Sequence, residues 1–113
     1  MKHDPNEERS AAEKARVILQ TLTPSTPRTD EIVLRLRLAA HIADSARNLC
    51  FSTERALNDR IEASTALKGV AGSLDTGQHP LTEAMIDRAR TAVAKWLAAL
   101  DALGDSKMRL NKI

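Results

Sequence analysis

Residues 28–68 read RTDEIVLRLRLAAHIADSARNLCFSTERALNDRIEASTALK, a stretch bounded by Pro27 and Gly69 that holds neither glycine nor proline. Its apolar residues recur at helical spacing, so the stretch is helix. One helix from Asp30 to Lys68 would be roughly 60 Å long at 1.5 Å per residue. That is about twice the length of the helices on either side, so the stretch must fold back or project to meet a partner. Ile32, Leu36, Ala39, Ala43, Ala46 and Cys50 form one seam, and Leu34, Leu38, Ile42 and Leu49 form a second row beside it. Together they cover roughly 200° of a helical wheel, where a surface helix needs little more than about 100°. This helix therefore packs on two sides, either within the fold or in the fold and an oligomer. Past Cys50 the seam weakens to Thr53, Leu57, Arg60 and Ser64. Ser52 could cap a new helix there, and Asp59–Glu62 could form a capping box. A hairpin turn within Phe51–Asp59 gives four helices of similar length. The expectation is an all-α antiparallel bundle of four helices, with three helices and one long central rod as the alternative.

Working outward, Asp4-Pro5-Asn6-Glu7 reads as a helix start, with Asp4 as cap, Pro5 at the first helical position and Glu7 closing a capping box. Ala11, Ala15, Ile18 and Leu22 follow at 4-3-4 spacing, with Ala12 and Leu19 alongside. Pro24 ends the helix near Thr23. Residues 23–29 are a stiff connection of the kind that joins antiparallel neighbours. The next helix starts near Thr29 or Asp30. On the other side, Gly69, Gly72 and Gly77 close the central stretch and residues 75–80 form a loop. Thr82 caps the last helix, in which Ile86, Ala89, Val93, Leu97 and Leu100 face the core, flanked by Trp96 and Leu103. Gly104 suits the position after a helix end, which leaves residues 105–113 as a short basic tail. The chain reads as one domain, residues 1–113.

Hydrophobic residues make up 42 % and charged residues 28 %, as in ordinary globular proteins. Aromatics are only 2 %, so the core must be built from Leu, Ile, Val and many alanines. The formal charge is +2 with a pI near 9.0, a mild basicity. The single cysteine allows no internal disulfide. Cys50 on an apolar face reads as a reduced, buried thiol, and the polar N-terminus lacks a signal-peptide run, so a cytoplasmic protein is expected. Residues 32–42 are apolar but short and interrupted by Arg35, Arg37 and His41, so no membrane span is expected. His3, His41 and His79 lack partners at metal-ligand spacing. No cofactor, metal, small-molecule substrate or catalytic residue is expected.

The basic residues form no run but fall on outward faces. Arg37, Arg55 and Arg60 belong to the middle region, Arg88 and Lys95 to the last helix, and Lys107, Arg109 and Lys112 to the tail. If they converge they make a phosphate-binding strip; otherwise they are solubilising charge. Arg35 falls within the apolar arc of the second helix, so it must snorkel, pair, or meet a partner. With Leu38, Ile42 and Leu49 it forms the candidate partner interface. Arg35 and His41 fit the spacing of helical ribonucleases of the HEPN type. Leu36 stands where that family usually has a polar residue, however, and the two side chains fall on different sides of the helix.

Pro27-Arg28, then Leu34, Arg37 and Leu38, look like the entry to the second helix of a known group, and residues 81–97 with Lys95-Trp96-Leu97 look like its last helix. In this layout the chain resembles the small four-helix-bundle proteins of 23S ribosomal RNA intervening sequences and their relatives, the accessory variability proteins of diversity-generating retroelements. Lys95 stands where a glycine is usual in that group, and the last helix is about two turns shorter before the tryptophan. The resemblance implies a basic oligomeric bundle that binds a reverse transcriptase and nucleic acid without catalysis. The expected function is thus a non-enzymatic accessory subunit of a nucleoprotein complex, contacting nucleic-acid backbone through Arg and Lys and a larger protein partner through an apolar helix face. The alternative is a pure protein–protein adaptor, inhibitor or assembly factor of a phage or mobile element.

Overall fold

The computed structural model describes residues 5–45, 54–76 and 80–111. They form four helices: α1 (Pro5–Thr21), α2 (Asp30–Ser45), α3 (Glu54–Thr76) and α4 (Glu83–Asn111). Each helix packs on the next and α4 returns to α1, closing an antiparallel four-helix bundle. In this ring α1 stands diagonally across from α3, and α2 from α4.

The central stretch does fold back. The Ser64 hydroxyl of α3 lies 2.6 Å from Asp44 Oδ1 and 3.3 Å from the Ala40 carbonyl of α2. Near the other end of the pair, Arg37 of α2 reaches Asp75 of α3. The reversal falls between Ser45 and Glu54, which meets the expected window only at residues 51–53, and Leu49, Cys50 and Ser52 lie outside the described residues. Asp59–Glu62 is not a helix start but sits inside α3. The reason is that Arg60 and Ser64, which looked like flaws in the seam, are both buried.

Two helix starts use threonine caps. The Ile32 amide donates to Thr29 Oγ1 at 3.3 Å, and the Met85 amide donates to Thr82 Oγ1 at 3.2 Å. Each satisfies an amide that has no partner within its helix. The connection between α1 and α2 is held by a reciprocal pair: the Thr26 amide donates to the Thr23 carbonyl at 3.0 Å, and the Thr23 amide to Thr26 Oγ1 at 2.8 Å.

The core runs the length of the bundle. α1 buries Ala12, Ala15 and Leu19, with Leu22 buried just past its end, while Ala11 and Ile18 are half-buried, so its apolar stripe is turned slightly from the expected one. α2 buries Val33, Leu36, Ala39, Ala40 and Ala43. α4 buries Ile86, Ala89, Val93, Trp96, Leu97 and Leu100. At the C-terminal end of α1, Arg90 of α4 donates to the Leu19 carbonyl at 2.7 Å and to the Leu22 carbonyl at 3.1 Å. α1 has no basic residue in its own last turn, so α4 supplies the cation that its exposed carbonyls favour.

Three glycines sit where a helix end was expected and a helix continues. Gly69 and Gly72 lie inside α3, and Gly104 lies inside α4, which runs on to Asn111 in place of a tail from residue 105. A glycine inside a helix costs only about 1 kcal/mol. Burial of Leu67, Val70, Ala71 and Leu74 on α3 outweighs it. A Cβ added at Gly69 or Gly72 would meet nothing within 4 Å. Gly69→Ala and Gly72→Ala are therefore each expected to stabilise the fold by about 0.5–1 kcal/mol, read as a higher urea midpoint with an unchanged slope. A lowered midpoint would contradict this account of α3.

Candidate functional site

α2 is the helix with two apolar faces. Leu36, Ala39 and Ala43 point into the core, and on the opposite side Leu34 is 67 % and Leu38 52 % exposed. The two leucines are four residues apart and so lie one above the other on the outward ridge. Ile42 is half-buried. Arg35, which looked out of place in the apolar arc, is half-exposed and pairs with Glu31 at 2.8 Å one turn earlier. Leu49 lies outside the described residues. Val17 on α1 and Ile61 on α3 are the other large aliphatic residues more than half exposed among the described residues.

Arg37 is also half-exposed, and its guanidinium is engaged. Asp75 at the end of α3 accepts from Arg37 through Oδ2 at 2.9 Å, and from Arg28 through Oδ1 at 3.1 and 2.8 Å. This node ties the α1–α2 connection, α2 and α3 together. Hydrogen bonds from Arg28, helped by Arg37, hold the Asp75 carboxyl below the usual aspartate range, against partial desolvation. The folded state thus binds this proton more weakly than the unfolded chain. The contribution of Asp75 to stability is complete above the unfolded value of about 3.9 and is lost as pH falls through the lower folded value. The stability gap between the parent and Asp75→Asn is expected to be constant above about pH 5 and to close as pH falls below about 4. A gap that stays constant in acid would show that Asp75 does not titrate this way.

Among the described residues, the basic positions expected to line a strip are not gathered on one face. Arg88 and Lys95 are exposed on α4, one heptad apart. Arg88 Nε stands 3.9 Å from Glu62 Oε1, and Lys95 pairs with no acid among the described residues. Arg37 is on α2, diagonally across the bundle from both. Arg55 begins α3, and Lys107 and Arg109 lie in the last turns of α4, but the side chains of residues 54–56 and 103–111 lie outside the described part, as does Lys112 altogether.

Arg60 is a correction. It was expected on an outward face, yet it is 1 % exposed. Its Nε donates to Glu8 Oε1 at 2.8 Å and its second terminal nitrogen to Glu8 Oε2 at 3.1 Å. Glu8 is 0 % exposed and also accepts the indole N–H of Trp96 at 2.8 Å. The physical reason is desolvation: a buried charge is tolerated only with close, hydrogen-bonded compensation, and α1 carries the matching acid at the same level. Sequence reading missed Glu8 and Trp96 as partners. The available signal was that Glu8 continues the row Ala12, Ala15, Leu19 toward the N-terminus while Arg60 sits in the seam of α3. Two opposite charges in two apolar seams answer each other.

No three His, Cys, Asp or Glu side chains gather as a metal site among the described residues. No described helix is long and apolar enough to cross a membrane. The chain matches no family model, no curated protein and no solved structure.

Proposed function

We propose that the chain is a non-enzymatic interaction module whose α2 ridge docks an amphipathic helix of a protein partner. The observation that supports this is the exposure of Leu34 and Leu38, 67 % and 52 %, on the face of α2 turned away from the core. Half-exposed Arg35 and Arg37 border the two leucines. A partner helix with an apolar stripe and acidic flanks complements this ridge in both respects: its aliphatic side chains cover the leucines, and its carboxylates meet the arginines. Ile42 extends the apolar strip by one turn.

A second reading keeps this interface and adds nucleic acid, making the chain an accessory subunit of a nucleoprotein complex. It is supported by Lys95, which has no ion pair among the described residues, and by Arg88 on the same side of α4. Two cations on one helix hold phosphate weakly and without sequence preference.

The discriminating experiment compares Leu34→Glu/Leu38→Glu with Arg88→Glu/Lys95→Glu. Each is tested by light-scattering mass with and without bulk RNA at low and high salt, and by capture of a protein partner, with thermal melts as the folding control. The protein-module reading expects capture that persists in high salt, vanishes in the leucine pair and survives in the α4 pair. RNA uptake at low salt that vanishes in the α4 pair would support the nucleoprotein reading. Capture unaffected by the leucine pair would overturn the α2 interface. A doubled mass that reverts in the leucine pair would make a second copy of this chain the occupant.

A further inference from the structure

Ten of the twenty-three buried hydrophobic residues among those described are alanines, and Trp96 is the only aromatic among them. Alanines repeat along each helix: Ala12 and Ala15 on α1, Ala39, Ala40 and Ala43 on α2, Ala63, Ala66 and Ala71 on α3, Ala89 and Ala92 on α4. Such a core has little shape to read. Sliding one helix past its neighbours by a turn, about 5.4 Å, sets small apolar groups against small apolar groups again, and cores under-specified in this way settle into several packings. The most deeply buried charged contacts in the bundle do not tolerate the slide. Glu8 of α1, Arg60 of α3 and Trp96 of α4 meet in the interior, 0 %, 1 % and 0 % exposed, with three hydrogen bonds of 2.8, 3.1 and 2.8 Å among them.

We propose that the Glu8–Arg60–Trp96 cluster selects one register of this bundle from several that its alanine-rich core would accept. The cluster spans the diagonal of the ring, from α1 to α3, and is joined by α4, so it fixes three helices with one set of bonds. A slide of any of the three by one turn separates the carboxylate from the guanidinium or the indole N–H inside the protein, where water does not replace the lost partner. Apolar burial then decides that the helices pack, and the cluster decides at which level. This role is independent of what docks on α2.

The test replaces the cluster with apolar groups of similar bulk, Glu8→Leu/Arg60→Met/Trp96→Phe, in the full chain. A control, Leu19→Met/Leu67→Met, loosens the core and leaves the three polar groups in place. The expected result for the triple variant is parental far-ultraviolet helicity together with multiple or broadened amide resonances, dye binding to exposed apolar surface and a broadened unfolding transition. The control is expected to keep one sharp set of resonances. A triple variant with a single dispersed spectrum and a parental transition overturns the proposal. So does a triple variant that loses its helicity, because the cluster would then be holding the helices formed rather than choosing among packings. A control that loses its single spectrum as well assigns the effect to loose packing and overturns it equally.

Discussion

Replacing Glu8 with alanine is expected to cost about 3–5 kcal/mol, a large share of the stability of a domain this size. Glu8 is fully buried and accepts two bonds from Arg60 and one from Trp96. Removing it takes the counter-charge from a guanidinium that stays in the interior and an acceptor from the indole. The penalty comes from desolvation that is no longer compensated, not from the strength of the pair in isolation. Glu8→Gln keeps an acceptor oxygen and loses the charge, so it is expected to fall between the parent and Glu8→Ala. In the double variant Glu8→Ala/Arg60→Ala both buried charges are gone, and its cost should be smaller than the sum of the two single costs by about 0.5–3 kcal/mol. Urea unfolding followed by far-ultraviolet circular dichroism measures all four. A Glu8→Ala variant within about 1 kcal/mol of the parent would show that the pair does not sit in a low-dielectric interior. Moderate salt is expected to leave the Glu8 effect intact while weakening the exposed Arg28–Asp75 contact, because screening acts on solvated charges.

Trp96→Ala is the second large effect, again about 3–5 kcal/mol. Trp96 is 0 % exposed and packs in a core whose other members are mostly Ala, Leu and Val. Small neighbours that are already close to one another have little room to collapse into the space a missing indole leaves, which places the cost high in its range. Trp96→Phe separates the two roles of this residue. It restores most of the ring volume and removes only the N–H donated to Glu8, so about 1–3 kcal/mol is expected. If Trp96→Phe were as damaging as Trp96→Ala, the hydrogen bond would outweigh the packing. If it were neutral, the indole N–H would contribute nothing at this site.

The helical class and the starts of α1, α2 and α4 were legible because apolar spacing and cap residues act locally: Thr82 caps where it was read to cap, and α2 starts at the Thr29–Asp30 step where its start was read. The hairpin between α2 and α3 was legible as a need to shorten an overlong helix, but its place was not, since no glycine or proline marks it. The glycines misled in the other direction. Gly69, Gly72 and Gly104 offer helix ends that the helices run through. Arg60 was misread because a lone charge in a weakening seam looks like a surface position until its partner, separated by 52 residues, is known. Arg37, Arg28 and Asp75 were scattered charges in the sequence and one node in the fold. The exposed leucines of α2 were legible as the excess width of its apolar arc.

The stitching of α1 to α4 also bears on the order in which the chain can be completed. The partners of α1 lie far downstream: Leu19 and Leu22 wait for Arg90, Glu8 for Arg60 and Trp96, and Arg9 for Asp101, a separation of 92 residues. Closing such distant pairs is the slow part of folding. A growing polypeptide makes α1 first and finishes it last. Until Trp96 has left the ribosome, the earliest helix has an acid at position 8 without its indole donor and an end without its arginine. Limited proteolysis of ribosome-tethered chains, with residues 90–101 either still inside the exit tunnel or extended clear of it by a linker, reads this directly, with protection of α1 appearing only when they are clear.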